Sequence, residues 1–307
     1  MGKMADIKLF RYSDAESREL VARQAQLEKS LQHIIEKHMQ DMLGIRLLGH
    51  EYPTGRNRRG IIDSLGLDEN NCPVIIEYKR ANNDNIICQG LYYLDWLMDH
   101  QAEFILLARN VLGEETAENI EFDGTRIICI ASAFSRYDEQ AVMQIDRNIE
   151  LVRYRLYDDD LILLEMLNTS ISHFLEDPER QGGTPGSEVG MPAPLQERVR
   201  SMNAATEFLY LELLAFAENL GEDVSIKFLK HYIALTRFKN FTCIQPLRNS
   251  LKLWLNLDPG QVPLEDGFSR DVSDLGHVAS GNLLLEIRDK NGFIKAQPLI
   301  ELAYQQN

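Results

Sequence analysis

The sequence predicts an α+β protein built from two domains, as its 307 residues suggest. Residues 61–67 and 74–79 are apolar and extended in pattern, and the polar residues 68–71 between them indicate a β-hairpin. Stretches with apolar residues at helical spacing precede and follow this hairpin. Residues 176–194, rich in Gly, Pro and Glu, have no periodicity. We therefore expect one domain over residues 1–175, a flexible linker over 176–194, and a small second α+β domain over 195–307.

Composition limits the classes of function that the chain can have. The net charge of −15 argues against indiscriminate binding of nucleic acid, although a local basic surface on an acidic body remains possible. No apolar run is long enough to span a membrane, and the first residues lack the apolar core of a signal peptide. The four cysteines lack metal or redox spacing. We therefore expect a cytoplasmic protein with reduced, buried cysteines.

Three charged residues interrupt the apolar strands of the hairpin: Asp63, Glu77 and Lys79. Side chains alternate between faces along a strand, so Glu77 and Lys79 share one face. If the hairpin closes symmetrically about Asn70, Asp63 lies directly opposite Glu77 on that face. Two facing carboxylates need a compensating cation, and ligands that are all oxygen suit Mg²⁺ or Mn²⁺. The hairpin therefore predicts a divalent metal site.

This arrangement, Asp followed by Glu-x-Lys on the next strand, resembles the motif of the PD-(D/E)XK nuclease superfamily. Residues 27–38 are similar to the first helix of that fold, and Gln89 with Tyr93 resembles its Gln-x-x-x-Tyr signature. The spacing is most similar to the catalytic domain of the NucS-type endonucleases, which are related in fold to Holliday-junction resolvases. The resemblance covers residues 27–168, with Ile62 in place of the usual Pro before Asp63. It implies a restriction-endonuclease-like mixed sheet flanked by helices.

The resemblance also implies roles for individual residues. Glu28, Asp63 and Glu77, with the backbone carbonyl of Tyr78, would hold one or two Mg²⁺ (or Mn²⁺) ions. Lys79 would orient or deprotonate the attacking water or stabilise developing charge.

Helix and loop residues around the motif leave alternatives open. Glu36 is a second candidate for the helical ligand. It lies about 80° from Glu28 around the helix, so we expect only one of the two to face the site, and we favour Glu28 because it precedes the Leu-x-x-Ile-Ile stripe as in the family pattern. Gln89 would orient Lys79 or the water; the alternative is a polar helix edge.

Basic residues beside the hairpin are candidates for binding nucleic acid. The loop over residues 53–60 carries Arg56, Arg58 and Arg59 and leads into the strand of Asp63, so it would grip phosphates. The alternative is a solvated turn. Arg80 and Tyr93 complete the predicted nucleic-acid contacts.

The remaining elements of the first domain follow from periodicity and turn residues. Ser13 and Glu16 have the form of a capping box that starts a long helical region. We expect strands over residues 46–52, 126–131, 151–156 and 161–167, helices over 102–112 and 137–147, and an acidic surface loop over 113–124.

The second domain is predicted to contain helices over residues 195–220 and 294–304 and strands over 241–245, 251–257 and 283–287. Through residues 231–241, 252–259 and 267–283, this domain resembles an uncharacterised domain that is found attached to such nucleases and is sometimes labelled a predicted transport protein. No segment could cross a bilayer, so the transport label has no support. A set of cations interleaved with aromatic residues is either a nucleic-acid surface or a basic edge around core aromatics: Lys227, Lys230, Tyr232, Arg237, Phe238, Lys239 and Phe241. For His277 we expect a structural role.

These observations predict a Mg²⁺-dependent endonuclease acting on nucleic acid, with DNA as the expected substrate. Related nucleases often cut as homodimers, which makes a homodimer a possibility by analogy. Two alternatives stay open: a non-catalytic nucleic-acid-binding module, and a protein-interaction module in which the three charged residues form a buried ion-pair network.

Overall fold

The computed structural model describes residues 7–25, 27–55, 60–80, 85–145, 147–167, 191–221, 223–275 and 279–307. Within them the chain is an α+β protein with two six-stranded sheets and a separate two-stranded hairpin. We refer to residues 7–167 as the N-terminal unit and to residues 191–307 as the C-terminal unit. In this part of the chain, no helix is long and apolar enough to cross a membrane.

The N-terminal unit combines a terminal hairpin with a mixed sheet and six helices among its described residues. In chain order these are β1 (Leu9–Tyr12), β2 (Ser17–Leu20), α1 (Glu28–Lys37), α2 (Met39–Leu43), β3 (Ile45–Pro53), β4 (Ile61–Asp68), β5 (Pro73–Lys79), α3 (Ile86–Asp99), α4 (Gln101–Leu112), α5 (Glu114–Glu118), β6 (Arg126–Ala131), α6 (Arg136–Gln144), β7 (Asn148–Tyr157) and β8 (Leu161–Met166).

The first large sheet has the strand order β3-β4-β5-β6-β7-β8. Strands β5, β6 and β7 are parallel to one another, while the other neighbouring pairs are antiparallel. Helix α1 packs on one face through Leu31 and Ile35, and α3 packs on the other through Leu94 and Leu97. The carboxyl ends of the parallel strands and the start of the antiparallel β4 lie at the same end of the sheet. We call this end of the sheet the site edge.

The C-terminal unit contains α7 (Ala193–Arg200), α8 (Ala204–Glu218), β9 (Ser225–Phe228), β10 (Ile233–Thr236), β11 (Asn240–Pro246), β12 (Leu251–Leu255), β13 (Ser269–Asp271), β14 (Leu283–Ile287) and α9 (Lys290–Gln306). Its antiparallel sheet has the order β13-β14-β12-β11-β10-β9. Helices α8 and α9 cover one face of this sheet. On the other face, Cys72 from the turn between β4 and β5 packs with Leu229, Tyr232 and Trp254.

The mixed sheet, both strands of the central hairpin and most helices agree with the predictions, but the predicted helix start at Ser13 is wrong. Ser13 lies in the turn of the β1–β2 hairpin, where its N–H donates to the Glu16 carbonyl at 2.8 Å. Its Oγ accepts from the Ala15 and Glu16 amides. Serine satisfies local amides equally well in turns and at helix starts, so the pattern alone cannot distinguish the two.

Three other differences concern short elements. Residues 113–124, predicted to be a loop, include the one-turn helix α5. Strands β9, β10 and β13 were not predicted, because each has only three or four residues. The predicted linker over 176–194 lies outside the described residues up to position 190, and α7 begins at Ala193.

Candidate metal-binding active site

Asp63 and Glu77 face each other where the backbone pairing of β4 with β5 ends. The register pairs Ser64 with Ile76, so the next opposed pair is Asp63 and Glu77, as the symmetric hairpin predicts. Here backbone N–H groups donate to side-chain carboxylates of the opposite strand instead of to its backbone carbonyls. Asp63 N–H donates to Glu77 Oε1 at 3.3 Å, and Tyr78 N–H donates to Asp63 Oδ2 at 2.9 Å. The two acids therefore lie side by side at the site edge.

Burial makes this pair electrostatically unusual. Glu77 is 0% exposed, and its Oε2 has no hydrogen-bond partner among the described residues. Burial, followed by the charge of Asp63, raises the pKa of Glu77 to about 8. Burial also raises the pKa of Asp63, although the Tyr78 amide and the charge of Lys79 oppose it. The pair therefore favours an additional cation at the orphaned oxygen.

Lys79 and Glu28 complete the charged cluster from two directions. Lys79 Nζ lies 3.8 Å from Glu28 Oε2, and the Lys79 side chain is only 14% exposed. Glu28 Oε1 accepts from the Arg80 N–H at 3.3 Å, which brings the first turn of α1 to the site edge. The charge of Glu28 contributes to the raised pKa of Asp63, so the three acids are within electrostatic reach.

Glu36, the alternative helical ligand, belongs to a separate network on the other face of β4. Its Oε1 accepts from Ser64 Oγ at 2.5 Å, and its Oε2 lies 2.8 Å from His50 Nδ1. Ser64 Oγ is also 3.2 Å from the Tyr78 hydroxyl. Between the two candidates, this geometry favours Glu28 as the helical acid of the site.

Gln32, which was not among the predicted site residues, connects that network to Asp63. Its Nε2 donates to the Asp63 carbonyl at 2.7 Å and to Glu36 Oε1 at 2.9 Å, and the residue is 4% exposed. The spacing carries a usable signal: Glu28, Gln32 and Glu36 recur at intervals of four and therefore follow one side of α1. Gln32 therefore restrains the backbone of Asp63 through the hydrogen bond to its carbonyl.

Gln89 and Tyr93, the two residues of α3 that were predicted to act at the site, are hydrogen-bonded to each other. Gln89 Nε2 donates to the Tyr93 hydroxyl at 3.2 Å, which also accepts from the Ile61 N–H at 3.2 Å. Tyr93 is 5% exposed, so its burial favours support of the start of β4 over direct contact with nucleic acid. Gln89 lies one turn before it, on the face of the sheet that carries Glu77.

Three of the predicted nucleic-acid contacts, Arg56, Arg58 and Arg59, lie outside the described residues. Arg80 is exposed at the site edge, directly after β5.

Of the four cations predicted for a nucleic-acid surface in the C-terminal unit, Lys227, Lys230 and Arg237 form ion pairs within the chain. Lys227 Nζ lies 3.0 Å from Glu150 Oε1, Lys230 Nζ 3.5 Å from Glu121 Oε1, and Arg237 Nε 2.7 Å from Asp223 Oδ2. Tyr232 and Phe241 are buried. This favours the alternative of a basic edge around core aromatics. His277 lies outside the described residues.

The donors present fit a hard divalent cation held by a carboxylate pair. Among the described residues, no three His, Cys, Asp or Glu side chains converge as a complete ligand set. Glu28 is directed to Lys79 and Arg80, so Asp63 and Glu77 are the two side chains ready to bind. The unpartnered Oε2 of Glu77 is available as a ligand atom, and a bound divalent cation would offset the burial and mutual repulsion that raise the pKa of both acids. Oxygen donors suit Mg²⁺ or Mn²⁺.

Residues 198–307 match a family model described as a domain of unknown function, DUF5655. This agrees with the uncharacterised domain expected at this end of the chain. An uncharacterized protein from Haemophilus influenzae is 26% identical over 287 residues, which cover 92% of this chain and 94% of that protein.

Two solved structures are similar over part of the chain. A repair endonuclease from Pyrococcus abyssi has 18% identity and a TM-score of 0.28, covering 43% of this chain and 50% of the other. A complex of EndoMS with double-stranded DNA has 18% identity and a TM-score of 0.25, covering 47% and 49%. The chain thus spans about half the length of each, and TM-scores this low assign no activity to it.

Proposed function

We propose that this protein is a metal-dependent nuclease that hydrolyses phosphodiester bonds, with DNA as its substrate. One observation carries the proposal: Asp63 faces the fully buried Glu77, whose Oε2 has no partner among the described residues, and Lys79 lies two residues further along β5. A purely structural role would leave that oxygen without a partner at an energetic cost.

Asp63 and Glu77 would hold Mg²⁺ or Mn²⁺, with Glu28 and the Tyr78 carbonyl as further predicted ligands. When bound, the ion stabilises charge on the scissile phosphate and lowers the pKa of the attacking water. The Tyr78 N–H holds Asp63 Oδ2 in place, while Gln32 holds the Asp63 carbonyl. These two hydrogen bonds thus hold Asp63, a predicted metal ligand, in position before the substrate binds.

Lys79 would act on the nucleophile and the developing charge. Its ammonium group lies in the same cluster and is mostly shielded from solvent, where a charge interacts more strongly than in bulk water. Glu28 holds this ammonium group near the site edge at 3.8 Å. A lysine so placed can orient the attacking water and stabilise charge on a phosphate oxygen.

The proposal of a nucleic-acid substrate rests on the surface around the site, and DNA is the nucleic acid that the resemblance to NucS-type endonucleases implies. Arg80 is exposed directly beyond Lys79, and the predicted phosphate-binding residues Arg56, Arg58 and Arg59 shortly precede β4 in the sequence. The chain as a whole has a net charge of −15, so phosphate binding would be confined to the site edge. That confinement suits an enzyme that selects a particular DNA structure better than one that coats DNA.

A cleavage assay tests the proposal. Wild type, Lys79→Ala and the control Lys37→Ala, at an exposed lysine of α1, are incubated with Mg²⁺ or Mn²⁺. The substrates are linear, branched and mismatched DNAs and the corresponding RNAs. We expect wild type and Lys37→Ala to cleave DNA and Lys79→Ala to lose about 100-fold or more of the rate.

Other outcomes would favour the competing functions. Metal-independent DNA binding without cleavage would indicate a non-catalytic nucleic-acid-binding module. Absence of both binding and cleavage would favour a protein-interaction module with a buried ion-pair network. Cleavage of RNA alone would retain the nuclease and reject DNA as the substrate.

A further inference from the structure

The turn of the β4–β5 hairpin is held by hydrogen bonds from the C-terminal unit. Asn70 Oδ1 accepts from Asn240 Nδ2 at 2.7 Å and from the Tyr232 hydroxyl at 3.0 Å. Glu69 Oε2 accepts from the Asn240 N–H at 2.7 Å. Asn70, Asn240 and Tyr232 are 7%, 2% and 6% exposed. Buried polar groups paired this fully define one docking geometry, since each lost partner is costly.

Charged groups fix the same contact on its flank. Lys227 of the C-terminal unit binds Glu150, which also accepts from the buried Arg126 at 2.8 Å. Arg126 Nε in turn lies 3.5 Å from Asp68, at the start of the hairpin turn. The contact therefore reaches the turn both directly and through β6 and β7.

The turn and the metal site are opposite ends of one element. Asn70 is seven residues from both Asp63 and Glu77, which corresponds to about 20 Å along a strand. Asp68 Oδ1 accepts from the Asn70 and Cys72 amides at 2.8 and 3.0 Å, and Asn71 has a left-handed φ of 57°. The geometry of such a turn helps to set strand register, and register decides whether the two acids face each other.

The site end of the hairpin has less backbone support than its middle. Beyond Ser64 and Ile76, the links between the strands are the two amide–carboxylate hydrogen bonds of Asp63, Glu77 and Tyr78. The longer of them, from Asp63 N–H, is 3.3 Å. Small changes in the alignment of β4 with β5 would therefore displace Asp63 and Glu77 before they disturb the middle of the hairpin.

We propose that the C-terminal unit is an intramolecular brace for the metal-site hairpin, and that Asn240 and Tyr232 are positioning residues for Asp63 and Glu77. The metal-binding part of this inference rests on the proposed function. It gives a role to the residues that match the domain of unknown function. The Haemophilus influenzae relative aligns across both units in one chain, as a brace requires.

Backbone hydrogen exchange in the full-length, metal-free protein tests the brace. The reporters are the Asp63 and Tyr78 amides, since each donates to a site carboxylate. The variants are Asn70→Ala and the milder Tyr232→Phe. The matched control is Tyr304→Phe, which removes a hydroxyl bonded to Asp223 Oδ1 at 2.8 Å within the C-terminal unit. We expect exchange at both reporters to rise about tenfold in Asn70→Ala, about threefold in Tyr232→Phe and less than about twofold in the control.

Mg²⁺ calorimetry on the same proteins completes the test. Affinity should fall in the order of the exchange rates, by about threefold to tenfold, without a matching loss in Tyr304→Phe. If both reporters exchange at the control rate in Tyr232→Phe and in any folded Asn70→Ala protein, the brace is rejected. If exchange rises but Mg²⁺ affinity stays within about twofold, the two residues are not positioning residues. A wild type that binds no Mg²⁺ would reject the proposed function, while the exchange rates would still decide on the brace.

Discussion

A fully buried carboxylate with one unpartnered oxygen is costly to the folded protein. Glu77 meets this description, and burial together with Asp63 raises its pKa to about 8. A carboxyl group whose folded pKa lies above its unfolded value destabilises the fold as the pH rises between the two values. Such a cost at a site is typical of residues kept for function.

Replacing Glu77 should therefore stabilise the metal-free protein. We expect Glu77→Gln to gain stability over wild type as the pH rises from about 4.5 to 8, by an amount on the order of a few kcal/mol at pH 8. Below about pH 4.5 the gain should vanish, because Glu77 is then protonated in both states. Thermal unfolding across this pH range measures the effect, with the exposed Glu118→Gln as control. A pH-independent difference would refute the raised pKa.

Gln32 should support the metal site through the backbone of Asp63. In Gln32→Met, the Asp63 carbonyl and Glu36 each lose a buried donor, which should cost about 1–3 kcal/mol of stability. Mg²⁺ affinity should fall several-fold in calorimetry, while Gln40→Met, at an exposed position on α2, should change neither. Unchanged affinity in a destabilised Gln32→Met protein would reduce Gln32 to a structural role.

Some individual residues of the candidate site could be predicted from the sequence and others could not. Asp63, Glu77 and Lys79 were predictable because strand alternation and a symmetric turn fix their relations within a few residues. The four-residue spacing of Gln32 from Glu28 and Glu36 was visible in the sequence, but its burial was not, because a polar residue in an amphipathic helix is usually solvated and its burial depends on where β4 packs. Tyr93 was placed on the correct helix, but its burial depends on the fold around Gly60, where an added Cβ would lie 2.5 Å from the tyrosine ring.

At the level of elements, β6 and β7 hold a buried ion-pair cluster that supports the hairpin turn. Arg126 is 4% exposed and lies between Glu150 and Asp68. Although burial raises the pKa of Glu150, the charges of Arg126 and Lys227 outweigh it and lower that pKa to about 2. The stability from this carboxylate is complete above about pH 4.5 and is lost as the pH falls toward 2.

Removing the central cation of this cluster should be severe. We expect Arg126→Met to destabilise the protein by about 3–5 kcal/mol at pH 7, because Lys227 is then the remaining cation that pairs with the buried Glu150 among the described residues. Denaturant unfolding measures the loss, and Arg288→Met, at an exposed ion pair with Glu286, should cost less than about 1 kcal/mol. A loss of similar size in both variants would contradict a structural role for the cluster.

Element boundaries show the same limit of sequence reasoning. The strands that are long and buried, such as β5 and β6, were predictable from their apolar runs. The β1–β2 hairpin was not, because its residues are almost all exposed and Ser13 suits a turn and a helix start alike.

Over the whole molecule, an acidic body carries its proposed nucleic-acid contact at one edge. The net charge of −15 limits non-specific attraction, and several cations of the C-terminal unit are bound to acids of either unit. Placing those cations required the tertiary structure, since a basic–aromatic pattern in sequence suits an intramolecular contact as well as a ligand.

DNA binding should therefore depend on few ionic contacts. We expect Arg80→Ala to weaken DNA binding and to reduce the slope of log K against log salt concentration by about one, as loss of one phosphate contact requires. Fluorescence anisotropy over a salt series measures this slope. Arg270→Ala, at an exposed arginine of β13, should leave it unchanged; equal slopes for Arg80→Ala and wild type would exclude Arg80 from the contact.

Calorimetric titration of the metal-free protein with Mg²⁺ and Mn²⁺ tests the central claim most directly. Wild type and Asp41→Asn, an exposed aspartate on α2, should bind with equal affinity, whereas Asp63→Asn should lose at least about tenfold. Binding that is absent from wild type, or unchanged in Asp63→Asn, would contradict a metal site at Asp63 and Glu77. The three charged residues would then be a buried ion-pair network.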